Sequence, residues 1–137
     1  GTAYQDIIDF AGVKGELGKV VAGGAMMGPA VENLSYPTTK TTSGLIMLSA
    51  AAAEPPQVNP CIRCGRCVEY CPMGLEPVEV NQAYAARDVQ ELGKLHVDYC
   101  FNCGSCTFVC PAKRPCTQMM GLAKAFYLGE IKKGGNK

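Results

Sequence analysis

Two cysteine runs with identical spacing constrain this chain more than any other feature. Each has the form Cys-x2-Cys-x2-Cys-x3-Cys-Pro; the first spans Cys61–Pro72 and the second spans Cys100–Pro111. A small residue, Gly65 or Gly104, follows the second cysteine of each run, where it lets the loop turn closely past a bulky group. This spacing is typical of loops that hold a cubane 4Fe–4S cluster. The sequence therefore predicts electron-transfer chemistry.

The fourth cysteine of each run is expected to serve the cluster of the other run. In two-cluster ferredoxins, the cysteine before the proline ligates the second cluster. By that rule the ligands of cluster I are Cys61, Cys64, Cys67 and Cys110. The ligands of cluster II are Cys100, Cys103, Cys106 and Cys71. This exchange would tie the two runs into one unit and bring two 4Fe–4S clusters close together.

Zinc sites and disulfides are the alternatives to iron–sulfur clusters. Structural zinc sites favour Cys-x2-Cys pairs separated by a longer stretch, with four ligands in all, whereas each run here has four cysteines of its own. A disulfide framework requires an oxidising compartment, and the chain has an odd total of nine cysteines. The ninth, Cys116, lies outside both runs, and we interpret it as a small packed side chain near cluster II.

Charge and hydropathy exclude several classes of partner. The formal net charge is +1, which gives no indication of nucleic-acid binding or of a basic membrane anchor. The sequence has no apolar run of the ~18 residues that a spanning helix needs, so we expect no direct membrane span. Thiolates that hold reduced clusters predict a reducing compartment, the cytoplasm or the cytoplasmic face of a membrane. Because the first residue is Gly1 and not methionine, we expect a larger polypeptide to continue upstream.

The predicted fold class is α+β, with two parts divided near Glu54-Pro55-Pro56. In residues 1–53, apolar residues at helical spacing predict a helix over Tyr4–Ala11, capped by Thr2 and ended by Gly12. Apolar runs predict two strands, Lys19–Ala22 and Leu45–Leu48. This part is poor in apolar side chains, so we expect its core to be completed by upstream sequence or by packing on the second part.

Residues 54–137 are predicted to be helical around the cysteine loops. The connection Pro72–Tyr99 contains 28 residues without strand alternation, and it predicts a helix over Glu76–Ala86 and a shorter one capped by Asp88. Apolar residues then recur every three or four positions and predict an amphipathic helix that ends at Gly129. These residues are Met119, Leu122, Ala123, Phe126 and Tyr127. A helical two-cluster domain is therefore favoured over the βαββαβ kind.

Other residues suggest weaker hypotheses. Four cations surround the cysteine loops and could offset cluster charge or guide an acidic partner, or they could simply form a solvated face. They are Arg63, Arg66, Lys113 and Arg114. The only histidine, His96, is interpreted as a surface or packing residue. The Gly23–Gly28 segment is interpreted as a tight turn with Met26 and Met27 in the core, with cofactor or partner contact as the alternative.

The chain resembles the C subunits of Rnf electron-transport complexes, which are membrane-associated NAD:ferredoxin oxidoreductases. The resemblance rests on Ala22–Ala30, Pro37–Leu45, Pro60–Leu75 and Tyr99–Gln118. It implies that residues 1–53 are part of a β-grasp-like (SLBB-like) module and that 54–137 form the dicluster ferredoxin domain. It also implies that FMN and NADH bind only in an upstream region outside this chain, and that no residue here is catalytic.

The resemblance implies a function as the cluster-bearing part of a membrane complex. The partners would be other subunits of that complex, with ferredoxin as a further candidate, and the location would be peripheral on the cytoplasmic side of the cell membrane. Three alternatives remain: an independent soluble dicluster ferredoxin, the cluster-bearing part of a related cobalamin reductase, and a non-redox module whose clusters serve only structure.

Overall fold

The structure, a computed structural model, describes residues 1–134 and divides the chain into two compact units. The N-terminal unit is Gly1–Pro56, and the C-terminal unit begins at Gln57. The first contains helix α1 (Tyr4–Ala11), strands β1 (Leu17–Ala22) and β2 (Leu45–Ser49), and the short helix α2 (Ala50–Ala53). The fold class is α+β, as the sequence predicts, because the N-terminal unit adds a sheet to an otherwise helical chain.

The two strands form an antiparallel pair. Val20 lies opposite Met47 and Ala22 opposite Leu45, with an irregularity between Leu17 and Lys19. Both predicted strands are present, each extended by one or two residues. Helix α1 ends at Gly12, as predicted, but Thr2 does not cap it, because the N-cap position falls on Ala3 and no side chain bonds there.

Few side chains are buried in the N-terminal unit. Its fully buried apolar residues are Tyr4, Ile8 and Val20. Phe10, on the outer face of α1, is 94% exposed. So small an apolar core agrees with the shortage of apolar residues in this part of the sequence, and it leaves the unit with little hydrophobic stabilisation.

The Gly23–Gly28 segment is a tight turn that returns the chain to β1. The Gly28 amide donates to the Gly24 carbonyl at 2.8 Å, and the Ala22 amide donates to the Pro29 carbonyl at 3.0 Å. The predicted turn is present, but the predicted burial of its methionines is wrong: Met26 and Met27 are 48% and 59% exposed. They project outward because the turn brings backbone, rather than side chains, against β1.

In the described residues of the C-terminal unit the regular elements are all helices, joined by loops. Two short helices, α3 (Arg66–Glu69) and α6 (Ser105–Phe108), lie within the cysteine runs. Between them are α4 (Pro77–Ala85), α5 (Val89–Lys94) and a 3-10 turn at Val97–Tyr99, and α7 (Cys116–Gly134) follows the second run. The Asp88 side chain accepts from the Glu91 amide at 2.9 Å and caps α5, as its position in the sequence predicts.

The core of this unit lies between α4, α5 and α7. Its most buried side chains are Val80, Leu92, Val97 and Met120, together with Ala123. Tyr84 and Phe126 pack edge-to-face with ring centroids 5.8 Å apart, and the Arg87 guanidinium lies over both rings. Helix α7 is thereby held against the connection between the two cysteine runs, which positions both runs.

Helix α7 extends beyond the predicted end at Gly129. A single glycine costs a helix only about 1 kcal/mol relative to alanine, and no atom outside the helix crowds Gly129. One turn further on, Lys133 donates to Glu130 in an ion pair between positions three apart, which favours continuation. The buried face also differs from the prediction, since Met120 is buried and Leu122 is 53% exposed.

Candidate iron–sulfur cluster sites

The two cysteine runs form a structural repeat with an offset of 39 residues. Helix α3 begins after Gly65 and α6 begins after Gly104. Both glycines are left-handed, with φ of 78° at Gly65 and 89° at Gly104. The residue two before each glycine is also left-handed, with φ of 51° at Arg63 and 55° at Asn102. Few residues adopt such angles, so their recurrence at matching positions indicates that both loops follow the same path.

Each run contributes to two cavities, and the fourth cysteines are exchanged between them. Cavity I has a volume of about 310 Å³. Its lining includes all four cysteines that are expected to bind cluster I: Cys61, Cys64, Cys67 and Cys110. Cavity II is lined by Cys71, Cys100, Cys103 and Cys106. Each cavity therefore contains the four cysteines expected for one cluster, and Cys116 is a fifth cysteine at cavity I. The ligand sets themselves stay a prediction.

The donor set of each cavity fits a cubane cluster. Five cysteines line cavity I, Cys116 among them, and four line cavity II. Each cavity thus has at least the four thiols that such a cluster takes as thiolate ligands. Within residues 1–134 no three His, Cys, Asp or Glu side chains converge as a group that could hold a single metal ion. Cavity II has a volume of only about 20 Å³. Its cysteine side chains would therefore have to move apart to make room for a cluster.

The two cavities differ in charge. Cavity I is lined by three guanidinium-bearing residues, Arg63, Arg66 and Arg114. No arginine or lysine is among the residues that line cavity II. Lys113, the fourth cation noted in the sequence, lines neither cavity. A negatively charged group would therefore meet a more positive environment in cavity I.

The two cysteine runs also differ in the polar groups near their sulfur atoms. In the first run, two backbone amides donate to sulfur: Arg63 to Cys61 at 3.4 Å and Leu75 to Cys71 at 3.3 Å. In the second run, three side chains contact sulfur at 3.4 Å: Asn102, Ser105 and Thr117. None of the three was singled out from the sequence. Alignment of the two runs would have revealed Thr117, because Val78 occupies the matching position.

Burial raises the pKa of several of the thiols. Desolvation is the main cause of a raised pKa at Cys67 and at Cys106. At Cys106 the Thr117 hydroxyl acts in the opposite direction and favours the thiolate. Burial raises the pKa of Cys116 to about 12, so this thiol holds its proton most firmly.

Cys116 and His96 are the remaining residues near the cysteine loops that the sequence singled out. Cys116 is buried, as its packing interpretation expects, and it lines cavity I. Cys106, which lines cavity II, is also close enough to Cys116 to raise the pKa of its thiol. The expected place of Cys116 near cluster II stays a prediction. His96 lines neither cavity and stacks on Tyr99, with ring centroids 5.3 Å apart, which agrees with a packing role.

Comparison with protein families identifies the cysteine region. Residues 60–113 match the family of 4Fe–4S dicluster domains. A curated relative, the C subunit of the ion-translocating oxidoreductase complex of Rhodobacter capsulatus, is 40% identical over 96 residues, which is 69% of this chain and 18% of that protein.

Two further relatives have similar names. The C subunit of the proton-translocating ferredoxin:NAD(+) oxidoreductase complex of Clostridium ljungdahlii is 45% identical over 78 residues, 56% of this chain and 17% of the relative. The Na(+)-translocating counterpart of Acetobacterium woodii is 37% identical over 90 residues, 65% and 20% respectively. The chain thus spans about a fifth of the length of these relatives. Among its described helices none is long and apolar enough to cross a membrane.

Proposed function

From the premise that this chain is related to the C subunits of Rnf-type ion-translocating oxidoreductase complexes, we propose that it relays single electrons through two 4Fe–4S clusters. The observation that carries the proposal is the grouping of the cysteines around two cavities, five at cavity I including Cys116 and four at cavity II. The match of residues 60–113 to 4Fe–4S dicluster domains supports it. Bound in these cavities, the clusters would supply one-electron redox chemistry.

In this proposal the residues of the chain bind the two clusters, keep the cysteine runs in position and adjust the charge around the clusters. Cys61, Cys64, Cys67 and Cys110 hold cluster I, and Cys71, Cys100, Cys103 and Cys106 hold cluster II. The packed helices α4 and α7 keep the two runs in register, and the arginines of cavity I favour added negative charge there. No residue of the chain needs to act as acid, base or nucleophile.

The domain roles are part of the same proposal. Residues 1–53 would belong to a β-grasp-like (SLBB-like) module, and residues 54–137 would form the dicluster ferredoxin domain. The relatives are named as members of complexes, which supports the other subunits of such a complex as partners. We further propose a peripheral position on the cytoplasmic side of a membrane. FMN and NADH would be bound by upstream sequence, and ferredoxin would be an electron-exchange partner.

Anaerobic reconstitution of the chain with iron and sulfide tests the proposal. We expect about eight iron and eight sulfide per chain, and an EPR spectrum of two magnetically coupled clusters after reduction with dithionite. Stoichiometric zinc with no reducible signal would overturn it. Reversible reduction also excludes a purely structural role, and co-purification with a membrane complex from the native cell distinguishes a component of that complex from a free carrier.

A further inference from the structure

Two threonines in the second half of the repeat form a hydrogen-bonded pair beside a cluster-ligand sulfur. The hydroxyl oxygens of Thr107, on α6, and Thr117, in the first turn of α7, lie 2.8 Å apart. The Thr117 hydroxyl oxygen lies 3.4 Å from Cys106 Sγ. All three residues are half-buried, so water competes only weakly for these hydrogen bonds.

A thiolate at Cys106 would set the direction of the protons in this pair. The Thr117 amide donates to the Thr107 hydroxyl oxygen at 2.8 Å, which holds the two hydroxyls together but leaves either one able to donate to the other. The sulfur of Cys106 can only accept when it is a thiolate ligand. The Thr117 proton is then directed at that sulfur, and the Thr107 proton is directed at the Thr117 oxygen.

The first half of the repeat lacks this device. At the 39-residue offset, Val68 corresponds to Thr107 and Val78 corresponds to Thr117. Val78 lines cavity I, just as Thr117 lines cavity II. The two sites therefore share a backbone path but differ in whether a hydroxyl is aimed at the third cysteine of the run.

We propose that Thr117 donates a hydrogen bond to the Cys106 thiolate and raises the reduction potential of the cluster in cavity II, with Thr107 as the positioning residue that orients the Thr117 hydroxyl. This inference rests on the proposed function, since it requires a cluster at Cys106. Reduction adds negative charge that is shared by the ligand sulfurs, and a donor at a sulfur favours the more negative state.

Redox titration of the reconstituted full chain, followed by EPR, tests the proposal. Thr117→Val removes the hydroxyl and nearly preserves the shape of the side chain. We expect it to lower one of the two midpoint potentials by about 59 mV, which is a tenfold change in the equilibrium constant of a one-electron reduction. Thr117→Ser retains the hydroxyl and should restore the potential, and Thr107→Val should give a smaller shift in the same direction.

A matched control uses a threonine pair of the N-terminal unit, which contains no cysteine. The hydroxyls of Thr39 and Thr41 lie 3.0 Å apart on an exposed turn of the N-terminal unit, so Thr41→Val should leave both potentials unchanged. If Thr117→Val takes up iron like the parent chain and shows both midpoint potentials unmoved, the threonine proposal is wrong and the electron relay stands. If the parent chain takes up no reducible cluster, both proposals fall.

Discussion

At the scale of single residues, Gly28 shows how the N-terminal turn depends on close backbone approach. A Cβ at this position would lie 2.6 Å from the Ala22 carbonyl oxygen and 2.7 Å from the Gly24 carbonyl oxygen. Both neighbours are backbone atoms, and Ala22 is the last residue of β1. The turn can therefore make room only by moving the end of the strand.

We expect Gly28→Ala to destabilise the N-terminal unit by roughly 1–3 kcal/mol, the usual cost of overpacking. Hydrogen exchange at the Ala22 amide, which donates to Pro29, reports on this unit and should become faster. Gly24→Ala is the matched control, because a Cβ there meets no atom within 4 Å. Equal protection in the two variants would contradict the close-approach argument.

Cys116 tests the division between ligand and packing cysteines. It lines cavity I beside four other cysteines and is 5% exposed. We expect Cys116→Ala to retain about eight iron per chain, since each cluster already has four thiolates. Cys103→Ala, in a cavity lined by four cysteines only, should lose iron. Iron loss from the Cys116 variant alone would make it a ligand.

The sequence predicts which cysteines line each cavity, except for Cys116, but it does not predict their surroundings. The expected ligand sets follow from spacing because a cubane needs four thiolates at fixed separations, and they stay a prediction. The position of Cys116 depends on how α7 leaves the second loop, and spacing does not encode that path. Thr107 and Thr117 are ten residues apart in the sequence, and only the packing of α6 against α7 makes their hydroxyls meet.

At the scale of elements, the central helices could be predicted more closely than the last one. The sequence predicts a helix over Glu76–Ala86 and the structure has Pro77–Ala85, and Asp88 caps α5 as predicted. The predicted end of α7 is wrong because an isolated glycine weakens a helix without ending it. Its buried face is predicted in part: Ala123 is buried and Phe126 and Tyr127 pack on the core, but Leu122 is exposed. Met120 is buried in place of Met119, and because the two are equally apolar only tertiary contacts choose between them.

The packing of α5 on α7 gives a prediction about stability. Leu92 is fully buried in the core between these helices. We expect Leu92→Ala to lower the free energy of unfolding of the C-terminal unit by 2–5 kcal/mol, roughly the range for buried leucines. Leu122→Ala, on the exposed face of α7, should change it by less than about 0.5 kcal/mol. Chemical denaturation followed by circular dichroism compares them, and similar losses would indicate a different helix face in the core.

At the scale of the whole molecule, the net charge hides a local concentration of positive charge. The chain is close to neutral at +1, yet Arg63, Arg66 and Arg114 all line cavity I. Positive charge around an electron-transfer site attracts acidic partners and accelerates their association at low salt.

We expect Lys113→Glu combined with Arg114→Glu to slow electron exchange with an acidic carrier such as ferredoxin and to flatten its salt dependence. Stopped-flow reduction at several ionic strengths measures both effects. Lys40→Glu, an exposed lysine of the N-terminal unit, provides a control with half that change in charge. An unchanged rate in the double variant, at unchanged iron content, would remove the steering hypothesis.

The exchange of fourth cysteines between the cavities has a consequence for how the sites can be inherited or lost. Cavity I takes Cys110 from the second run, and cavity II takes Cys71 from the first. A cut anywhere between α4 and the second run would leave each piece with only three cysteines of one proposed ligand set. The fourth, Cys110 or Cys71, would be on the other piece. In the proposed ligand scheme neither half of the repeat supplies all four thiolates of a cluster, so loss of either half would remove both sites.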